Sequence, residues 1–347
     1  MSGWLKVSLL ILLVVGYVSS VPLTRSSDAM WEAFKDKYGK HYETEEDARR
    51  RDIWEANVRL INEHNYYADL KNDSVRMGVN AHTDKLLEEI TGLDSVKLSA
   101  NSTKLTYQRQ VNVQLPEELD LRMTGHVTPV RSQGHCKSCW AFSAIGALEG
   151  QLKVKTGSIV PLSPEQLLDC VYESYCHHLP SGIRGSMLLA DGLGCERGGL
   201  PSTAFNYIHR AGGLEKDSDY PYHDIGDHTC HFDKSKSVLK VKDYVELPEG
   251  DEEVLKEALA TVGPISVAIA ANHGIHLYKS GVYRGSCNHR LNHAVLAVGY
   301  GEQDGVPYWL IKNSWGEQWG EEGYMRLYRG DNHCLVADLG TYPLLED

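Results

Sequence analysis

Gln133-Gly134-His135-Cys136-Lys137-Ser138-Cys139-Trp140-Ala141-Phe142-Ser143 sets a cysteine at the start of a helix. The helical period follows at once, since Ala141, Ala144, Ile145, Leu148 and Leu152 recur at steps of three, one, three and four and predict a helix over 138–154. A helix start carries amide N–H groups without intrahelical partners and a partial positive charge, and both favour a thiolate over a thiol. Cys139 is therefore a candidate nucleophile. Its C-x-x-C spacing with Cys136 also fits a redox pair or half of a zinc site, but no second C-x-x-C follows and no metal site is expected.

A thiol nucleophile needs a base. Leu291-Asn292-His293-Ala294-Val295-Leu296-Ala297-Val298-Gly299-Tyr300 supplies a histidine at the mouth of an apolar strand. A polar ring entering such a strand wants a partner, and Asn313, in Lys312-Asn313-Ser314-Trp315-Gly316-Glu317-Gln318-Trp319-Gly320, begins a turn from which its amide can orient the imidazole. Trp315 and Trp319 would shield that hydrogen bond from water.

Outward from these motifs the chain divides. Its 347 residues exceed what one hydrophobic core usually serves, and 42% hydrophobic with 24% charged residues is the composition of a globular protein. The formal charge of -12 argues against nucleic acid as a partner. Residues 4–18 are the one stretch apolar enough to interest a membrane; they are too short for an anchor and read as a secretory signal over 1–20, cleaved after Ser20. In the secretory pathway disulfides are the default state of cysteine. All eight cysteines lie at or beyond residue 136, so the first third must hold its shape by packing or docking.

Two amphipathic helices are expected over 29–65, the second carrying Glu46, Arg50, Trp54, Asn57, Ile61 and Asn65 on one stripe. Residues 78–84 read as a strand or turn, and the polar segment 95–114 as an exposed linker open to proteolysis. A boundary follows, with 114–347 as the main domain. Within it 114–236 is helical, including a short helix capped by Ser163, and 237–347 is strand-rich, with strands near 238–247, 265–270, 293–300, 308–313 and 323–328. The fold class is α+β, with two lobes and a cleft between them.

These motifs together resemble the papain family of cysteine proteases, in its cathepsin L-like branch, over nearly the whole chain after the leader. The resemblance implies an endopeptidase made as a zymogen in which Cys139 attacks the scissile carbonyl, His293 takes up and returns the proton, and Asn313 holds the ring. Gln133 and the Cys139 amide would form the oxyanion hole. The stripe from Glu46 to Asn65, with Gly78, Asn80 and Asp84, resembles the family's propeptide motifs, and residues 21–113 would then be an inhibitor lying across the cleft. Gly198 and Gly199 match a wall that a substrate backbone approaches, while Leu200, Pro201, Ala268, Leu291, Ala294 and Leu339 match the main specificity pocket, near Trp315. All six are apolar, which implies a bulky hydrophobic residue two positions before the cut. No cofactor is implied, and the partners are protein and peptide substrates and the chain's own propeptide, for a monomer that is lysosomal or secreted.

Family pairing suggests the disulfides Cys136–Cys195, Cys170–Cys230 and Cys287–Cys334. Cys176 is then spare, or else displaces Cys195. His293 lies 154 positions beyond Cys139 (293 − 139), slightly more than the family spacing, and the excess falls between Cys170 and Cys195. The extra segment, 176–194, is either a specificity loop or retained non-coding sequence. Leu121, Lys137 and His82 also depart from the family pattern. His82 stands where an aromatic residue is usual, and its protonation below about pH 6.5 would loosen the propeptide, unless the ring is partly buried and plays no switching part. Sequons at Asn72 and Asn101 suggest glycan on the precursor.

Overall fold

The computed structural model describes residues 23–93, 105–110, 113–176, 195, 198–224 and 229–346, without the side chains of 23–26 and 172–176. The expected leader over 1–20, the sequon at Asn101, the extra segment beyond Cys176 and the Cys176 side chain lie outside the described residues.

Two helices open the chain, α1 (Leu23–Tyr38) and α2 (Thr44–Lys71). Three acidic residues in the first turn of α2 complement its dipole, and Asn72 ends it in the left-handed conformation with φ 54°. The helices meet through Trp31, Phe34 and Trp54, whose ring centroids lie 5.4 to 5.8 Å apart. Asp47 ties the pair from its polar side, accepting from Trp31 Nε1 at 3.2 Å and from Lys35 Nζ at 2.7 Å. The α2 stripe then reaches beyond its own helix. Arg50 binds Glu46 and Glu89, Asn57 Nδ2 donates to Thr83 O, and the Asn65 amide both donates to and accepts from the Met77 backbone. Asn65 thus acts as a one-residue strand partner for β1 (Arg76–Met77).

The remaining strands are β2 (Leu105–Thr106), β3 (Leu119–Asp120), β4 (Val241–Glu246), β5 (Ile265–Ile269), β6 (Tyr278–Ser280), β7 (Val282–Tyr283), β8 (His293–Gln303), β9 (Val306–Lys312), β10 (Tyr324–Tyr328) and β11 (Gly340–Leu345). Nine of them form one mixed sheet in the order β2-β4-β11-β5-β8-β9-β10-β7, with β3 also on β8, while β1 pairs antiparallel with β6. Four more helices are α3 (Cys139–Thr156), α4 (Glu165–Cys176), α5 (Pro201–Ala211) and α6 (Glu252–Thr261), followed by a single turn, α7 (His273–His276). Ser163 Oγ accepts from Gln166 N at 3.0 Å at the start of α4, as expected of its cap.

α3 is buried on nearly every side, against β8, β5, β11 and α5, so its small residues matter more than any stripe. A side chain at Gly146 would strike Leu296, and one at Gly150 would strike Pro264. Ser143 Oγ donates to Val295 O at 2.6 Å, fixing the helix on β8. These contacts decide where the first turn of α3 lies relative to the first residue of β8.

The lobes are not contiguous in sequence. β3, from the start of the main domain, pairs with β8, and Val241 and Tyr244 of β4 pack in the helical cluster around Phe205 and Ile208. In the expected exposed linker over 95–114, residues 105, 106 and 108–110 are exposed, yet the segment is bound to the rest of the chain. β2 adds to β4 in parallel, Tyr107 is buried, and Glu257 accepts from Tyr107 Oη at 3.1 Å, Arg109 Nε at 3.2 Å and Gln110 N at 2.6 Å. A polar composition hid a strap held by one buried carboxylate.

Candidate active site

Cys139 begins α3 and is fully buried, with no disulfide. The main chain of Ala294, Gly92, Trp140 and Cys139 itself lies near its sulfur and favours the thiolate, so the thiol lies close to the residue that follows His293. Burial is the largest influence and pushes the thiol up to about 11. His293 opens β8, buried as well, and its Nε2–H donates to Asn313 Oδ1 at 2.8 Å. That bond leaves Nδ1 as the basic nitrogen, and Nδ1 has no partner. Burial pushes the imidazole down to about 4, against the opposing pull of Asn313. In this closed state both groups are therefore neutral.

Asn313 Oδ1 also accepts from Ser314 N at 2.8 Å, which fixes the carboxamide that fixes the ring. Trp315 stacks on His293 with centroids 4.5 Å apart, and Trp319 meets Trp315 edge-on at 5.2 Å. Sequence reasoning did not single out Ser314. Its Oγ donates to Gln133 Oε1 at 2.7 Å and its carbonyl accepts from Gln133 N at 2.8 Å. With Oε1 so engaged, Gln133 Nε2 is the end left to donate, and it reaches Cys136 O at 2.7 Å and Ile90 O at 3.2 Å. Ser314 was legible only as the neighbour of Asn313.

The segment 90–93 runs through the cleft. Ile90 O also accepts from Trp315 Nε1 at 3.3 Å; Gly199 N donates to Gly92 O at 3.0 Å; Leu93 N donates to Asn292 O at 3.0 Å. Gly198 has φ +82°, and a Cβ there would collide with Gly92 O, while a Cβ on Gly199 would press on the Trp140 ring at 2.8 Å. Two glycines in sequence therefore let another backbone lie flat on this wall. Leu200 and Pro201 follow as the cap and first residue of α5. Ala268 faces Ala294 across β5 and β8, and its N–H donates to Leu339 O at 3.2 Å, which brings these three together. Leu291 is half-buried two residues before His293.

Among the described residues three disulfides form, Cys136–Cys195, Cys170–Cys230 and Cys287–Cys334. Cys195 thus stays on Cys136, beside the cleft, and its carbonyl accepts from Lys137 N at 2.8 Å. Among the described residues Cys287, His333 and Cys334 group at metal-ligand spacing, but both sulfurs are spent in the disulfide and offer no thiolate. Asn72 is exposed at the end of α2.

The model of papain family cysteine proteases matches residues 115–344, and that of the cathepsin propeptide inhibitor domain matches 31–90. The chain is 42% identical to a cathepsin L-like peptidase of Aedes aegypti over 98% of its own length and all of that protein's. It is 41% identical to cathepsin S of Bos taurus, covering 91% of this chain and 92% of that one. Among solved structures, digestive procathepsin L 3 of the Tenebrio molitor larval midgut superposes with a TM-score of 0.78 at 34% identity, over 91% of this chain and 98% of its own. The precursor of stem bromelain gives 0.76 at 32%, over 93% and 100%. With an inhibitor domain of two helices whose segment 90–93 runs through a cleft between two lobes, a mixed sheet on one side and α3 on the other, the chain belongs to the papain family of cysteine proteases and is a zymogen that carries its own cathepsin propeptide inhibitor domain.

Proposed function

We propose that the mature protein is an endopeptidase in which Cys139 and His293 work as a thiolate–imidazolium pair. The thiolate attacks the scissile carbonyl carbon, and the tetrahedral oxyanion accepts from Gln133 Nε2–H and the Cys139 amide. His293 then gives its proton to the leaving amine as the C–N bond breaks, which leaves a thioester on Cys139. Water enters, His293 takes its proton, and as the C–S bond breaks the thioester gives the free acid and the thiolate–imidazolium pair is restored. Asn313 keeps the ring facing the sulfur throughout.

The observation that carries this reading is the path of residues 90–93. Ile90 O rests on Gln133 Nε2, the donor assigned to the oxyanion, and the Gly92 main chain lies beside the Cys139 sulfur. A backbone already fills the place where a substrate backbone would lie, and Gly199 holds it by the hydrogen bond that would hold a substrate. Residues 21–113 would accordingly be the inhibitor and 114–347 the enzyme, entering the secretory pathway behind a leader over 1–20. The apolar set Leu200, Pro201, Ala268, Leu291, Ala294 and Leu339 supports a preference for a bulky hydrophobic residue two positions before the cut.

Acidified precursor tests the reading. After the propeptide is lost, it should cleave peptides with leucine or phenylalanine at that position at least about tenfold better than those with arginine, a difference of about 1.4 kcal/mol. Cys139→Ser should cleave neither. A processed wild type that hydrolyses no peptide overturns the mechanism, and equal rates overturn the pocket assignment.

A further inference from the structure

Two histidines meet across the seam between inhibitor and enzyme. His82 lies in the turn of the inhibitor that precedes the blocking segment, and His276 lies in α7 of the enzyme. His276 Nε2–H donates to His82 O at 2.8 Å, and His82 Nε2–H donates to Trp315 O at 3.3 Å. The seam is sealed further by Asn80 Nδ2, which donates to His276 O at 2.9 Å. Each ring thus carries its proton on Nε2, and each Nδ1 is buried with no hydrogen-bond partner.

We propose that His82 and His276 form an acid-release latch: their unpartnered Nδ1 atoms accept protons only when the inhibitor turn has lifted from Trp315, so proton uptake drives opening. The surroundings oppose protonation in place. His82 is faced by Lys85 and Lys40 of the inhibitor and by His276 across the seam. His276 is faced by His273 on its own turn and by Asp84 and Lys85 across the seam. Asp84 is the one counter-charge among them, and it is already engaged by Lys40 Nζ at 2.8 Å and Tyr42 Oη at 2.6 Å. Burial holds His82 well below the usual imidazole value and His276 down at about 4.

The sign follows. A ring whose value is lowered by docking favours the closed state above about pH 6.5 and withdraws that support as pH falls toward the closed value. Each ring weakens docking by up to about tenfold per pH unit in that window, and the two together by up to about a hundredfold. Cys139 and His293 add little to this slope, because a neutral pair that becomes an ion pair on opening exchanges a proton internally. The latch deepens the zymogen reading and rests on it, but its test needs no peptidase activity.

The full precursor carrying Cys139→Ala is followed by hydrogen exchange of residues 80–93 between pH 7.5 and 4. Protection should fall with a slope approaching three protons, because without the Cys139 thiol His293 also takes one up on opening. His82→Phe, and separately His276→Gln, which keeps an N–H donor for the His82 carbonyl, should each reduce the slope by about one. The double variant should open at least about one pH unit lower. Full protection at pH 7.5 establishes docking for each variant; the substitutions lie on different segments, so either alone serves if the other fails to dock. An unchanged midpoint and slope in a docked variant overturns the latch. Loss of activity in processed wild type, measured apart, would bear on the mechanism only.

Discussion

At the scale of residues, closure of the cleft sets the chemical state of the candidate pair. Burial pushes Cys139 up to about 11 and His293 down to about 4, so in the precursor one is a thiol and the other a neutral imidazole. Once water and substrate replace residues 90–93, the helix start and the imidazolium both favour the thiolate. The ultraviolet absorbance of the thiolate should therefore be missing from the precursor at pH 7, appear on processing, and be missing again from processed His293→Ala. Gln133 donates one hydrogen bond to the developing oxyanion in the proposed mechanism, and Gln133→Ala should lower kcat by about 10²- to 10³-fold with KM little changed. Single-turnover kinetics on the processed enzyme would check the split. Cys139, His293, Gln133 and Asn313 were legible as candidates because each stands in a compact local motif. Ser314 and His276 were not, since what they do depends on Gln133, 181 positions away, and on His82, 194 positions away.

Elements add what single residues lack. α1 and α2 have no disulfide and are held by Trp31, Phe34 and Trp54, of which Trp54 is the one from α2. Trp54→Ala should cost about 3 to 5 kcal/mol, mostly as a cavity between the helices. The precursor should then melt in two steps, with the inhibitor segment unfolding first and peptidase activity escaping near neutral pH. Calorimetry and a neutral-pH peptide assay would show both. The helical stripe from Glu46 to Asn65 could be read from its spacing, because a helix imposes the same period on any sequence. The strap at 105–110 could not, because its order comes from an edge of β4 and from Glu257, neither of which leaves a mark in Ser-, Thr- and Gln-rich sequence.

For the whole molecule, the arrangement is one of two lobes that exchange chain ends and an inhibitor laid along their seam. The Cys136–Cys195 disulfide holds the glycine wall to the loop before α3, closing a separation of 59 residues. Replacing both cysteines with alanine should cost about 2 to 5 kcal/mol and raise KM more than it lowers kcat, because Gly198 and Gly199 lose their anchor while Cys139 and His293 keep theirs on α3 and β8. Thermal melting and steady-state kinetics of the processed enzyme measure the two effects.

By itself the sequence determined most of the elements and which side chains are candidates for the chemistry. Helical and strand periods, a cysteine at a helix start, a histidine at a strand mouth and an amide in a turn are all properties of residues within about ten positions of one another. Only the tertiary structure decided what covers them. Ile90 on Gln133, Gly92 on Gly199, His82 on His276 and Gln110 on Glu257 are contacts between segments 43 to 194 residues apart in the chain. Each of these contacts takes a backbone group on at least one side, which every residue type possesses, so no local pattern announces its partner.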